Sequence, residues 1–138
     1  MDIERIDPPG TGFPGMSQAV RAGDWLHVSG QVAVRDGAVV GIDDPGAQAA
    51  QCFANIAAVL AAAGTGLDTV VKLVCYLTER RAYAGFAEVR NALFAAHPPA
   101  SSVVVVNELL LPGLLMEIEA IAWSPRTQAH PDAEERRR

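Results

Sequence analysis

Residues 44–78 read DPGAQAAQCFANIAAVLAAAGTGLDTVVKLVCYLT, and within this stretch the chain changes its period. Asp44 can accept from the free amide groups at a helix start, and Pro45 suits the first helical position, where a missing N–H costs nothing. From there Phe53, Ile56, Leu60 and Ala63 recur at three- and four-residue spacing, which gives an alanine-rich helix one apolar face, and Gly64 closes it. Val70 to Leu77 then forms a β-branched, apolar run of strand type. A helix with one apolar face next to an apolar strand predicts a helix packed on a sheet.

Working outward, Thr78 is a plausible N-cap for a second helix, with Tyr83, Phe86, Val89 and Leu93 on one face before Pro98 and Pro99. Further strands are predicted at Trp25 to Ser29, Val103 to Val106 and Leu115 to Trp123, with weaker signals at Ile3 to Ile6, Ser17 to Arg21 and Gln31 to Val34. A β-rich start, a helix, a strand, a helix and two strands define an α+β fold, a mixed sheet with two helices on one face. Val103 to Val106 is apolar at every position, so that strand is expected to be covered on both sides, by the helices on one and by a neighbouring subunit on the other.

The 138 residues are hydrophobic at 50%, charged at 20% and aromatic at 6%, with a mean hydropathy of +0.17. A chain of this length makes one domain that buries roughly two-thirds of its unfolded surface, so a core forms without disulfides or a structural metal. Its apolar excess is expected at a subunit interface. Net charge is −5, and residues 1–124 hold 13 acids against seven bases, Lys72 being the one lysine. An acidic body lacks the clustered basic surface that nucleic-acid binding requires. The start of the chain has no basic segment followed by an apolar run, and Ile56 to Ala63, the longest apolar run, is far below the roughly 18 residues of a membrane span, so a cytoplasmic protein with no membrane partner is expected. From Ser124 the chain reads SPRTQAHPDAEERRR, without a large apolar side chain; residues 1–123 are expected to form the domain and 124–138 a disordered charged tail. Cys52 and Cys75 fall in helix and strand patterns as small buried residues.

Residues 10–15 read Gly-Thr-Gly-Phe-Pro-Gly and fit the dinucleotide pattern literally. Pro8-Pro9 before them and a strand-like segment after them are the wrong setting for it. His27, His97 and His130 are scattered, with no metal-ligand spacing, so neither metal nor cofactor is expected. In Met116-Glu117-Ile118-Glu119-Ala120, strand geometry puts two carboxylates on one face about 7 Å apart. Such a pair serves either as solvated or cross-strand-paired surface acids, or, desolvated in a cleft, as a general acid or base for water.

Several segments together resemble the RidA family, also called YjgF or L-PSP-like proteins. They are Ser17-Gln18-Ala19-Val20, Val28-Ser29-Gly30-Gln31, Gln48 to Gly64 around Asn55-Ile56, Val70 to Thr78, His97-Pro98-Pro99-Ala100-Ser101-Ser102 and Glu117 to Ala122, in family order across residues 5 to 123. The resemblance implies a chorismate-mutase-like fold with a six-stranded sheet, a homotrimer whose sheets line a central barrel, and clefts between subunits that take a small metabolite. It further implies hydrolysis of reactive enamines and imines to 2-oxo acids and ammonia, an arginine gripping the substrate carboxylate and a glutamate delivering water. Glu117 matches that glutamate, and Ser29 and Gly30 match the cleft-lining pair. Ser101 stands where the family has the arginine, Met16 where it has a tyrosine, Val103 where many members have cysteine or threonine, and Ala87 where many have asparagine.

Serine cannot replace arginine in a two-pronged carboxylate pair, a loss of roughly 2–5 kcal/mol from a desolvated cleft. The expected ligand therefore lacks the small 2-imino-acid carboxylate, or is bulkier and less charged. Arg90 on the second predicted helix is a candidate substitute cation, although beside Glu88 it reads first as a helix-surface charge. The resulting expectation is a diverged imine or enamine hydrolase; a non-catalytic trimeric metabolite-binding protein is the alternative, and an endoribonuclease is disfavoured by the acidic body.

Overall fold

The structure, a computed structural model, describes residues 2–126. Most of the tail predicted from Ser124 onward lies outside the described residues.

The strands are β1 (Ile3–Ile6), β2 (Ala19–Ala22), β3 (Trp25–Val32), β4 (Val34–Arg35), β5 (Ala38–Val39), β6 (Val70–Leu77), β7 (Ala100–Val105) and β8 (Met116–Trp123), and the helices are α1 (Pro45–Ala62) and α2 (Tyr83–Leu93). Six strands form one mixed sheet in the order β1-β2-β3-β8-β6-β7, and β4 and β5 form a separate hairpin. Every pairing in the large sheet is antiparallel except β6 with β7. Parallel neighbours need a crossover, and α2 supplies it.

α1 begins and ends where its sequence signals stand. Asp44 accepts from the Ala47 amide at 3.0 Å, Pro45 is the first residue, and the chain turns out of the helix at Gly64. Ala49, Cys52, Phe53, Ile56, Val59 and Leu60 are buried along one face, and the partly buried Ala63 packs against the same core. They meet the inward residues of the sheet, Leu26 and Val28 on β3, Leu73, Cys75 and Leu77 on β6, and Met116, Ile118, Ala120 and Ala122 on β8. Phe53 joins the helices to each other, stacking on Phe86 at 6.1 Å and meeting Phe94 edge-on at 5.5 Å. Gly85 allows this approach, because a β-carbon there would lie 2.8 Å from the Gly46 nitrogen.

α2 departs from its prediction at both ends. Arg80–Ala82 form a 3-10 turn before it, and Thr78 caps nothing; its hydroxyl lies 3.4 Å from the Leu114 and Leu115 carbonyls. The helix ends at Leu93, well before Pro98. Of the four apolar residues on its predicted face, Phe86 is buried and Val89 partly so, whereas Tyr83 and Leu93 are exposed. Within the chain β7 is an edge strand covered on one side, with Val103 packed on the core and Val104 and Val105 exposed.

Among the described residues, no helix lies on the opposite face of the sheet. Trp25 and Trp123 face each other in register there, each about half exposed at 46% and 47%, and Tyr76, Glu117 and Glu119 occupy its other end. Among the described residues no helix is long and apolar enough to cross a membrane, and no group of three or more His, Cys, Asp or Glu is placed to hold a metal ion.

Candidate functional site

The site is built around an irregularity in β3. Val28 pairs with Ala120 and Gln31 with Ile118, so three steps along β3 match two along β8, and Ser29-Gly30 carry the extra residue. This bulge is tied down by its neighbours. The Ser29 backbone amide donates to the Gln18 carbonyl at 2.8 Å, the Ser29 hydroxyl to the Ser17 carbonyl at 2.6 Å, and the Gln31 side-chain Nε2 to the buried Gln18 Oε1 at 2.8 Å. Bulges of this kind re-aim side chains next to functional sites.

Here the bulge makes room for Glu117. A β-carbon on Gly30 would lie 1.9 Å from Glu117 Oε1, so the carboxylate occupies the volume that any other residue would fill. Gly30, Tyr76, Val106, Glu108, Glu117 and Glu119 line a hollow of about 300 Å³. Glu117 pairs in register with Tyr76 on β6 and Val32 on β3. Burial raises its carboxyl above the usual carboxylate range, and the nearby Glu119 charge adds to the shift. The Tyr76 hydroxyl donates to Glu119, and this bond is the main reason that the Tyr76 phenol is also raised. The arrangement suits proton transfer, with one partly desolvated carboxyl facing an open space and a second held by a phenol.

Of the residues singled out in the sequence, Glu117 and Gly30 meet in this hollow, and Ser29 supports it from the bulge. Met16 is exposed, bridged to Phe13, and does not line it. Val103 sits in register with Cys75 and packs on the core. Ser101 lies elsewhere on β7, where it accepts from Arg90 Nη1 at 3.2 Å. Arg90 is therefore directed at the strand, and among the described ion pairs none joins it to Glu88. Glu119 belongs to the carboxylate pair visible in the sequence. Tyr76 alternates with Cys75 and Leu77 along β6 and so faces away from the helices, a signal present in the sequence. Glu108 and Val106 come from the loop after β7 and its edge, which no periodicity marks. Neither cysteine offers a nucleophile, since burial raises both thiols, Cys75 to about 12 against an opposing pull from Arg90.

Comparison with known proteins agrees with this architecture. Residues 13–124 match the family model Endoribonuclease L-PSP. A RutC family protein of Pyrococcus horikoshii is 38% identical over 109 residues, which cover 78% of this chain and 85% of the relative. One from Sinorhizobium fredii is 38% identical over 121 residues, covering 86% and 94%. The crystal structure of yeast Mmf1 superposes with a TM-score of 0.81 at 31% identity, covering 89% of this chain and 99% of that one. A member of the YjgF/YER057c/UK114 family from Mycobacterium tuberculosis gives 0.77 at 32%, covering 88% and 99%. The fold is that of a YjgF-type α+β protein. The chain belongs to the endoribonuclease L-PSP family, the RidA-like group that its sequence resembles.

Proposed function

We propose that this protein is a diverged RidA-like hydrolase that adds water to a small enamine, imine or related carbonyl compound in clefts between subunits of a homotrimer, in the cytoplasm. The observation that carries the reading is Glu117, a partly buried carboxyl with a raised pKa, seated in the space that Gly30 leaves free and open to a hollow of small-metabolite size. In this role the carboxylate takes a proton from water as it attacks the imine carbon and passes it to the nitrogen; it then carries the hydroxyl proton of the resulting carbinolamine to the same nitrogen as the C–N bond breaks, leaving a carbonyl and ammonia. Family membership supports a role with small metabolites. The bare sheet face with its tryptophan pair and the exposed valines of β7 support self-association, which would bring Met16, Ser101 and Val103 toward the cleft of a neighbour.

A second reading, a trimer that binds the metabolite without turning it over, is favoured by Ser101, which has no charge to hold a substrate carboxylate. The two are separated by supplying 2-iminobutyrate from a threonine dehydratase, alongside imines lacking a carboxylate, and following ammonia. The hydrolase reading expects faster release from at least one imine, abolished by Glu117→Gln. No acceleration with any imine, or full activity in Glu117→Gln, overturns it. The acidic body argues against RNA cleavage, and nucleic-acid binding that falls steeply with salt would reverse that judgement.

A further inference from the structure

Tyr76 stands directly opposite Glu117, the two being in register between β6 and β8, yet its hydroxyl donates to Glu119, one step along the same face. Glu119 is itself in register with Val74, which offers it no polar partner on that side. Among the described hydrogen bonds and ion pairs, Tyr76 is the only partner of the Glu119 side chain, and none engages that of Glu117. All three residues line the hollow. Same-face neighbours on a strand lie roughly 7 Å apart, close enough for two carboxylates partly out of water to repel each other. No helix covers this face among the described residues, so repulsion alone would turn Glu119 away from Glu117 and into water. The phenol opposes that movement, because a hydrogen bond to an ionised acceptor is about twice as strong as a neutral one.

We propose that Tyr76 is a positioning residue, whose hydroxyl holds the Glu119 carboxylate beside Glu117 and so fixes the charge against which Glu117 gains and loses its proton. The other titratable groups on that side of the sheet are Glu108, which lines the hollow from the segment after β7, and Lys72 and His27, both in register with Ile121. Lys72 donates to the Ser102 hydroxyl at 2.9 Å, which directs it toward β7 and away from the carboxylates. Val32, opposite Glu117 on β3, carries no charge. Glu119 is therefore the charge that adds to burial in raising the Glu117 carboxyl. A base serves best with its pKa near the working pH, so a charge kept in place bears on the reaction. That use in proton transfer rests on the hydrolase reading; the hold of Tyr76 on Glu119 does not, and the two can fail separately.

The test is a nuclear magnetic resonance titration of the full chain labelled at the glutamate carboxyl carbons, with the Glu117 signal assigned by its loss in Glu117→Gln. Tyr76→Phe removes one oxygen and keeps the ring, so the sheet is expected to keep its packing. In Tyr76→Phe the Glu117 midpoint is expected to move to lower pH, part of the way to its position in Glu119→Gln. Adding Tyr76→Phe to Glu119→Gln is expected to move it no further, since the hydroxyl acts through Glu119. An unmoved or raised midpoint in folded Tyr76→Phe overturns the proposal, as does a shift of equal size in the Glu119→Gln background. A second measurement leaves Tyr76 in place: the chain has two tyrosines, so Tyr83→Phe leaves one phenol to follow by ultraviolet absorbance. That phenol is expected to ionise above the ordinary tyrosine value and to return toward it when Glu119→Gln is added. An ordinary value in Tyr83→Phe alone also overturns the proposal. Where an imine is turned over, the pH limb of the rate is expected to follow the Glu117 midpoint from variant to variant with KM unchanged. Absence of turnover with the midpoint moved as expected defeats the hydrolase reading alone.

Discussion

Gly30 and Glu117 compete for one volume: a β-carbon on Gly30 would come within 1.9 Å of Glu117 Oε1, 2.8 Å of its Cδ and 2.9 Å of its Cγ. All three atoms belong to a side chain that can rotate, so the conflict threatens the carboxylate's position more than the sheet. Gly30→Ala is therefore expected to fold, with a melting temperature within a few degrees of the parent, while hydrolysis falls by at least about tenfold, as misplacement of a reacting group requires. A large drop in melting temperature accompanied by unchanged activity per folded molecule would contradict this account.

The raised pKa of Glu117, caused first by burial and then by Glu119, fixes the sign of two pH effects. Between the ordinary carboxylate value and the raised one, the native state holds a proton that the unfolded chain has lost, so this group's contribution to stability falls as pH rises through that window. Glu117→Gln should thus be more stable than the parent at neutral pH, and the difference should shrink below the unfolded carboxylate pKa. Urea denaturation at neutral and acid pH measures it. If the ionised carboxylate takes the proton from water, the rate should rise with pH through the raised pKa, and Glu119→Gln, which removes the neighbouring charge, should move that limb to lower pH.

Gln48 is fully buried and holds the approach to β8: its amide donates to the Gly113 carbonyl at 2.8 Å, and its oxygen accepts from the Leu115 amide at 2.7 Å. Gln48→Leu keeps the volume but strands the buried Leu115 amide, while the Gly113 carbonyl of an exposed residue turns to water, at about 1–3 kcal/mol. A urea-unfolding midpoint close to the parent's would show that the loop re-pairs elsewhere. Because Glu117 follows Leu115 by two residues, the variant should also weaken hydrolysis at temperatures where it remains folded.

Self-association is expected to use the bare sheet face and the β7 edge. Sedimentation equilibrium should give about three times the chain mass, in a closed symmetric assembly. Val104→Asp, placed at an exposed strand position, should lower that mass by introducing a desolvated charge into the contact while leaving the monomer's core unaltered. A monomeric parent would remove the intersubunit cleft from the functional reading.

The parts of this fold that the sequence declares are those in which one periodicity runs unbroken between strong end signals. α1 has Asp44-Pro45 at one end and Gly64 at the other, and β1 and β6 occupy their predicted residues. β8 begins one residue inside its prediction, at Met116. Thr78 misleads because a threonine after a strand resembles a cap wherever its hydroxyl points, and only the fold turns it to Leu114 and Leu115. At β7 four valines in a row specify burial on both faces, and the chain itself covers one of them, through Val103. For the site, Glu117 and Gly30 are visible as matching positions, yet their shared volume depends on a register shift that neither strand shows alone. Arg90 beside Glu88 looks like an ordinary helix charge, since the aromatic rings beneath it and Ser101 beyond it are contacts made at a distance in sequence.

The bulge between Val28 and Gln31 has a further meaning when the two strands are counted against each other. Leu26, Val28 and Gln31 all point inward only because β3 carries one residue more than β8 needs opposite it. Deleting Ser29 would restore plain alternation against β8, with the loss of the Ser29 bonds to Gln18 and Ser17 on the β2 side. The chain thus holds a residue that pairing with β8 does not require, at the place where the backbone gives way to a carboxylate. A shortened β3 would pair with β8 in one plain register, with the Glu117 carboxylate displaced from the space it now fills.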